Sequence, residues 1–470
     1  VTKNEENYPH FVTKFGIFSL NCVMFNRILL NDLEKWRSKD LRKPLIIRGA
    51  RQVGKTTLVN QFAAQYKQYI YLNLELTEEK ELFSRFTSIT ELVHAIFFLK
   101  NQSLVNKADT LIFIDEIQEV PHALNLLRYF HEFYAEISVV AAGSMLETLF
   151  DKDISYPVGR VEYKVIRPVS FPEFLAAMGE TAALEQIKKI PFAHFAQSKL
   201  LDLYHTYALI GGMPEIVQHY VKHRDLNALG PIYDSLINGY LEDVEKYATN
   251  NAQIQHIRHC IKSAFIEAGK RIKFEGFGNS TYKSREMGES LRTLEKALIL
   301  QLIYPNSKST LPLFPDLKKS PRLQILDSGL LNYFVGIQKE FLGTKDLNMI
   351  YQGTLIEHLT GQELISLQFS MLSSLQFWVR EKKESKAEVD FVYPFEGQVF
   401  PIEVKAGKEG TLRSLHLFMD EAPHDLAIRF YAGELKLTES TTLMGKKYRL
   451  LNLPYFLATQ IEEYIAWYRD

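Results

Sequence analysis

Between Leu45 and Gly143 the chain alternates short apolar runs with longer stretches of helical periodicity. The runs Leu45–Ile47, Tyr69–Leu74, Leu111–Ile114 and Ser138–Ala142 predict strands, and 56–66, 90–100 and 122–135 predict helices between them. Such alternation predicts a parallel sheet with helices on both faces, whose ligands bind at the carboxyl ends of the strands. Beyond about residue 170 the strands give way to helices as far as about 300. From Ser284 to Leu302, Met287, Leu291, Leu294 and Leu298 fall on one helical face, with Ser284 as the expected N-cap. Strand patterning returns from Phe377 to Val404, and Ile461 to Tyr468 reads as a closing helix. There is no internal repeat and no low-complexity linker, so the domain boundaries are soft.

The first expected strand runs into Gly49-Ala50-Arg51-Gln52-Val53-Gly54-Lys55-Thr56, with Thr57 opening a helix-competent run. This fits G-x-x-x-x-G-K-[ST], a phosphate-binding loop. Its backbone N–H groups and the positive end of the following helix form an anion site. Lys55 is expected to reach the β- and γ-phosphates and Thr56 to hold Mg²⁺. Four apolar residues then deliver Asp115 and Glu116. Asp115 is expected to support Mg²⁺, and Glu116 to orient and deprotonate an attacking water. Ser144 ends a further strand, where a small polar residue can meet the γ-phosphate or the water. Arg160, in Gly159-Arg160, is a candidate arginine finger acting in cis or in trans. Taken alone, Asp115-Glu116 is also a common charged turn, Ser144 a turn residue and Arg160 a surface ion-pair partner.

A second constellation lies far downstream. Asp390 sits in Glu388-Val389-Asp390-Phe391-Val392, and Glu403 and Lys405 alternate onto one face of Pro401-Ile402-Glu403-Val404-Lys405. An upstream helix supplies Glu357. This is the pattern of PD-(D/E)XK nucleases. There Asp390 and Glu403 would bind Mg²⁺ or Mn²⁺, Lys405 would position or activate water, and Glu357 would complete the outer shell. A charged hairpin face, or a nuclease fold kept only for binding, fits the same residues.

At 470 residues, with 46% hydrophobic and 24% charged positions and a net charge of −1, the chain reads as a globular protein of about three domains. The balanced charge does not point to nucleic acid or membrane, although a local basic face can still form. Two cysteines, Cys22 and Cys260, exclude a disulfide framework and a cysteine metal site and suit a reducing cytoplasm. His256, His259 and His358 lack metal-ligand spacing. Phe15 to Phe25 loosely imitates a secretory signal but has no small-residue cleavage site and is too short to span a bilayer. Residues 1–23 are therefore expected to be an upstream extension or a loosely packed tail, with the functional chain starting near Met24.

These motifs together resemble the prokaryotic AAA-type ATPases that carry a C-terminal domain long labelled as of unknown function. The resemblance rests on the loop above, Asp115-Glu116-Ile117-Gln118, Gly143-Ser144, Gly159-Arg160, Pro168-x-x-Phe171-x-Glu173-Phe174 and Gly211-Gly212-Met213-Pro214-Glu215. It covers nearly the whole chain from Met24. It implies an α/β multidomain protein: a P-loop AAA-type parallel-sheet core (24–165) and a helical lid (166–230). A winged-helix middle (231–340) and a restriction-endonuclease-like α/β C-terminal domain (341–470) would follow. It places Gly212 and Pro214 beside the nucleotide. In the middle, helices 254–269 and 285–300 with a strand at 301–304 would form the winged helix. Its mildly basic surface leaves DNA contact and plain packing equally open. The expected function is a cytoplasmic ATP-binding and ATP-hydrolysing switch or motor, using ATP and Mg²⁺, coupled to a nuclease-like domain that binds or cleaves DNA. The alternative is a regulatory ATPase whose nucleotide state controls docking of a protein or DNA partner.

Overall fold

The computed structural model describes residues 25–86, 88–144, 159–248, 250–338, 354–370, 372–382, 385–405 and 412–469. The expected N-terminal extension or tail (1–23), with Cys22, and Met24 after it lie outside the described residues.

Five strands form the first sheet: β1 (Leu45–Arg48), β2 (Gln68–Asn73), β3 (Thr110–Asp115), β4 (Ser138–Gly143) and β5 (Glu162–Val165). They run in the order β2-β3-β4-β1-β5, every pair parallel. The four predicted strands are present. The fifth was missed because Glu162-Tyr163-Lys164-Val165 is an edge strand with little apolar content. Successive residues of these strands enter two different cores. Leu45, Ile47, Leu111, Phe113 and Val140 pack on one face, and Ile46, Ile70, Ile112, Ile114 and Val139 on the other. Each such fully buried side chain is worth about 1.5–3 kcal/mol relative to exposure.

The helices Gln197–Ile210, Pro214–His223 and Gly230–Glu242 follow, then Asn251–Ile266 and Ser284–Lys296. The last was expected to reach residue 300. It stops at Lys296 because Leu298 takes a left-handed φ of 60°, which no helix continues. Ser284 is its first helical residue rather than its N-cap, which is Lys283. The chain then forms β6 (Leu300–Ile303), β7 (Pro305–Asn306) and β8 (Arg322–Ile325), with β6 and β8 antiparallel.

A second, seven-stranded sheet closes the molecule. Besides β7 it contains β9 (Gln376–Lys382), β10 (Ser385–Phe395), β11 (Gln398–Val404), β12 (Leu426–Tyr431), β13 (Lys436–Thr441) and β14 (Lys447–Pro454). Its order is β13-β14-β12-β11-β10-β9-β7. The short edge strand β7 thus comes from the preceding helical segment. The core that begins on one face of the first sheet continues without a break through Tyr207, Leu291 and Leu331 to Ile402 and Leu453. That continuity is the physical reason no linker is legible in the sequence. Among the described residues, no helix is long and apolar enough to cross a membrane.

Candidate functional site

The loop between β1 and the helix Lys55–Ala63 is shaped by two left-handed residues, Gln52 (φ 61°) and Gly54 (φ 93°). Gly49 is fixed by space, since a Cβ there would lie 2.7 Å from Ile166 Cγ2. The Lys55 ammonium is buried and donates to the carbonyl oxygens of Gly49 at 3.1 Å and Ala50 at 2.9 Å. Burial lowers its pKa to about 8, against the opposing pull of Glu116 and Asp115. An arriving phosphate would favour the charged form again.

Asp115 ends β3 and is buried. Its carboxylate accepts from Thr56 Oγ1 at 2.7 Å and from the Tyr71 hydroxyl at 3.2 Å. Burial raises its pKa, with the neighbouring Glu116 charge adding to the effect. Thr56 and Asp115 therefore stand together, a hydroxyl and a carboxylate that fit a Mg²⁺ ion. Glu116 follows with φ 51° and ψ 44°, a strained left-handed conformation for a non-glycine residue. Its carboxylate accepts from the Gln118 amide. The pairing of Arg48 with Gly143 carries Ser144 beside Gly49. Among the described residues the buried Ser144 hydroxyl has no hydrogen-bond partner, a polar group that a ligand could satisfy.

Arg160 lies elsewhere. Glu162 of β5 pairs with Leu45, the first residue of β1, so Arg160 stands at the amino ends of the strands. The loop grows from the carboxyl end of β1. Arg160 is half exposed and pairs with Glu132 at 3.5 Å. The geometry does not bring it to the loop of its own chain.

Several groups that brace the loop come from distant positions, which no local motif announces. The Arg27 guanidinium donates to Val53 O at 3.0 Å and pairs with Glu173 at 3.1 Å, both partners buried. Glu173 also accepts from the backbone N–H groups of Ile28 and Ser170. Arg51 pairs with Asp243, and the Tyr240 hydroxyl donates to Arg51 O at 3.0 Å. The signal for Glu173 was present in the quoted Pro168–Phe174 motif. Arg27, Tyr240 and Asp243 carried none.

Pro214 stands against the loop, 3.7 Å from where a Gly54 Cβ would lie. Gly212 is engaged differently: its N–H donates to Asp327 at 2.6 Å and its carbonyl accepts from Val169 N–H at 2.7 Å. A Cβ on Gly211 would lie 2.2 Å from Asp327 Oδ1, on Gly212 2.0 Å from Val169 O, and on Gly329 2.0 Å from Ile210 O. Asp327 is fully buried, caps the helix Ser328–Phe334 through Leu330 N–H, and has its pKa raised to about 6 by burial. The next residue, Ser328, donates its N–H to Gln362 at 2.8 Å. Gln362 donates to the Tyr207 hydroxyl, which donates to Glu363 at 2.6 Å. Both Gln362 and Glu363 lie on the helix Thr354–Ser366, which also carries Glu357.

That helix leads to the second constellation. Phe391 pairs with Ile402, so Asp390 meets Glu403 across β10 and β11. A bulge between Val389 and Val392 re-aims Asp390, whose carboxylate accepts from Val404 N–H at 2.7 Å. Glu357, Asp390, Glu403 and Lys405 are thus brought together. Glu388, on the same strand as Asp390, and Arg322, which the sequence did not announce, join them. The Arg322 guanidinium, only 8% exposed, pairs with Glu357 and Glu388 and lies 3.5 Å from Asp390 Oδ1. It also stacks 4.8 Å over Phe377. Burial acts to lower the Arg322 pKa, but the three carboxylates outweigh it and hold the group charged. Lys405 pairs with one oxygen of Glu403, while the other is buried without a partner among the described residues. Glu357 and Glu403 are pushed upward by burial and by Asp390. Among the described residues, no three His, Cys, Asp or Glu side chains are grouped to hold a metal ion. In this arrangement the carboxylates fit a guanidinium. His358 is a core residue: its Nε2 accepts from Ile325 N–H at 3.0 Å, and burial lowers its pKa to about 4.

Comparison with known proteins bears on the first site. Residues 41–175 match the family model of an AAA domain. Residues 201–340 and 352–451 match two domains of unknown function (DUF8612 and DUF4143). No curated protein matches the chain. Among solved structures, a Walker-type ATPase of Pyrococcus abyssi is 14% identical, covering 65% of this chain and 94% of its own, with a TM-score of 0.42. The Aeropyrum pernix ORC1 protein, solved in complex with DNA, is 14% identical over 67% of this chain and 91% of its own, TM-score 0.29. The Thermotoga maritima RuvB Holliday junction branch migration motor is 15% identical over 58% and 86%, TM-score 0.25. These likenesses are too loose to carry an argument. The family match and the loop geometry agree: the N-terminal part of this chain is an AAA-type P-loop ATPase domain, followed by two segments whose families have no assigned function.

Proposed function

We propose that this chain is a cytoplasmic ATP-hydrolysing switch whose nucleotide state acts on a nuclease-like C-terminal domain. The observation that carries the reading is the joint placement of Lys55, Thr56 and Asp115 around one loop, with Pro214 against it. ATP phosphates would lie on the loop N–H groups and Lys55, with Thr56 and Asp115 holding Mg²⁺, which neutralises phosphate charge. Glu116 would take a proton from water, and Ser144 would hold that water or the γ-phosphate. Arg160, remote from its own loop, would serve the loop of a second copy or none. The helices Asn251–Ile266 and Ser284–Lys296 with the β6–β8 pair support the winged-helix reading, a module that packs or contacts DNA. Asp390 opposite Glu403-x-Lys405, with Glu357 on a nearby helix, supports the nuclease-like reading of the C-terminal domain.

A specific observation favours the second reading, a regulator that docks a DNA or protein partner without cutting. Arg322 already neutralises the carboxylates that a nuclease would turn to Mg²⁺ or Mn²⁺. One experiment separates the two. Purified protein is incubated with Mg²⁺ or Mn²⁺ and single- or double-stranded DNA or RNA, with and without ATP, beside Lys405→Ala. Metal-dependent cleavage lost in Lys405→Ala establishes the nuclease; cleavage absent throughout, or unchanged in the variant, establishes the regulator. ATP turnover measured in the same samples tests the switch itself.

A further inference from the structure

A partly buried cation outside both sites has no counter-charge among the described residues. Arg167 follows β5 and lies deep in the molecule, keeping some surface toward a cleft of about 230 Å³. No ion pair with a carboxylate is formed by its side chain among the described residues, and its Nε is buried with no hydrogen-bond partner. Burial, together with the nearby Arg48 charge, lowers its pKa to about 10. Arginines in protein interiors are otherwise paired, because an uncompensated buried charge is strongly unfavourable. Here Arg27 with Glu173 and Arg322 with Glu357 follow that rule. Arg167 departs from it where open space adjoins the guanidinium.

The rest of the cleft supplies donors. Lys296, exposed at the rim, forms no ion pair among the described residues. Ser373 and Ser374 bring hydroxyls. Glu295 also lines the wall, with one carboxylate oxygen turned to the N–H of Leu302 at 2.8 Å. A planar guanidinium fork binds phosphate through two parallel hydrogen bonds, and an ammonium adds a point charge. The volume suits a phosphoryl group on a small carrier.

We propose that this cleft is a second anion site, separate from the nucleotide loop, which takes the phosphoryl group of a small phosphate ester with Arg167 as anchor and Lys296 as rim cation. Its walls come from three parts of the chain: the segment after β5, the turn from the helix Ser284–Lys296 into β6, and the loop after the helix Thr354–Ser366. The ligand would clamp them together. It would also stand close to the nucleotide loop, because Arg27 joins the carbonyl of Arg167 to that of Val53.

The test uses the full chain with its nucleotide loop saturated by Mg²⁺ and a non-hydrolysable ATP analogue, and inorganic phosphate as the probe at constant ionic strength. Phosphate is expected to bind the wild type in a calorimetric titration and to raise its melting temperature. Arg167→Gln is expected to weaken phosphate at least about tenfold, as loss of a charge-assisted bidentate pair does. Lys296→Glu, a surface change that leaves the core untouched, is expected to abolish the response. An undiminished response in Lys296→Glu overturns the proposal, and it decides alone if Arg167→Gln fails to fold. A short single-stranded DNA that displaces phosphate from the wild type more tightly than phosphate itself binds would overturn the small-ligand assignment.

Discussion

The two charged centres of this molecule are built on opposite plans. At the loop 49–56, the cation Lys55 is held by backbone carbonyls and the Ser144 hydroxyl has no partner among the described residues. Its charges await a partner from outside. At the acid cluster, Arg322 and Lys405 already supply the opposite charge from within. Chemistry at a preorganised site is driven by groups that stay unsatisfied until a ligand arrives. By that measure the first centre is poised and the second is held closed. Its closing residue, Arg322, belongs to the middle segment, and the acids belong to the C-terminal one. Displacement of one segment against the other would open it.

The sharpest way to break this contrast is Arg322→Met. Removing one partner of a buried ion pair costs about 3–5 kcal/mol, so a large fall in melting temperature is expected. Calorimetry should also detect Mn²⁺ binding tighter than in the wild type. A variant of wild-type stability that ignores Mn²⁺ would deny Arg322 its closing role. At the open centre, Lys55→Ala should lower ATP turnover by about 10²–10³-fold, as loss of an electrostatic stabiliser does. Turnover at the wild-type rate would remove the site assignment. Glu116→Gln should lose about 10²-fold in turnover and retain bound ATP in a filter assay; normal hydrolysis would dismiss Glu116 as the base.

A smaller effect concerns the path between the centres. Burial raises the Glu363 pKa to about 7, above its unfolded value. The folded state then binds more protons than the unfolded state between the two values. The stability tied to Glu363 is therefore fully present below about pH 4.3 and is lost as pH rises through about 7. Denaturant melts of wild type against Glu363→Gln should show this slope in the wild type alone. Parallel pH profiles would refute it. Smallest of all, Arg160→Ala should change turnover of a dilute, monomeric sample by no more than about twofold. A fall of about 10³-fold confined to assembled protein would mark an arginine working between subunits.

The nucleotide loop was legible because its chemistry is contiguous. Eight neighbouring residues define it, and the strand and helix on either side follow from local periodicity. Asp115 and Glu116 were legible for the same reason, at the end of an apolar run. The acid cluster was legible in its acids and in Lys405, and illegible in its second counter-ion, Arg322. Arg322 reaches Glu357 and Glu388 across 35 and 66 positions, from a strand that shows nothing unusual. Arg27 was hidden in the same way, at the start of an ordinary amphipathic helix. Arg160 teaches a further lesson: nearness to a motif in the chain does not say which end of the sheet a residue occupies. Asp327 lay within a readable helix-capping pattern, Asp-Ser-Gly before an apolar run, yet its hold on Gly212 depended on a fold that local rules do not supply.

The three glycines at 211, 212 and 329 press backbone against backbone, with no room for even one methyl group. In mechanical terms this is a coupling without play. Slack would absorb a small displacement beside the nucleotide before it travelled anywhere. Without such slack, a shift at Pro214 would reach the segment that bears Asp327 and, a few residues earlier, Arg322.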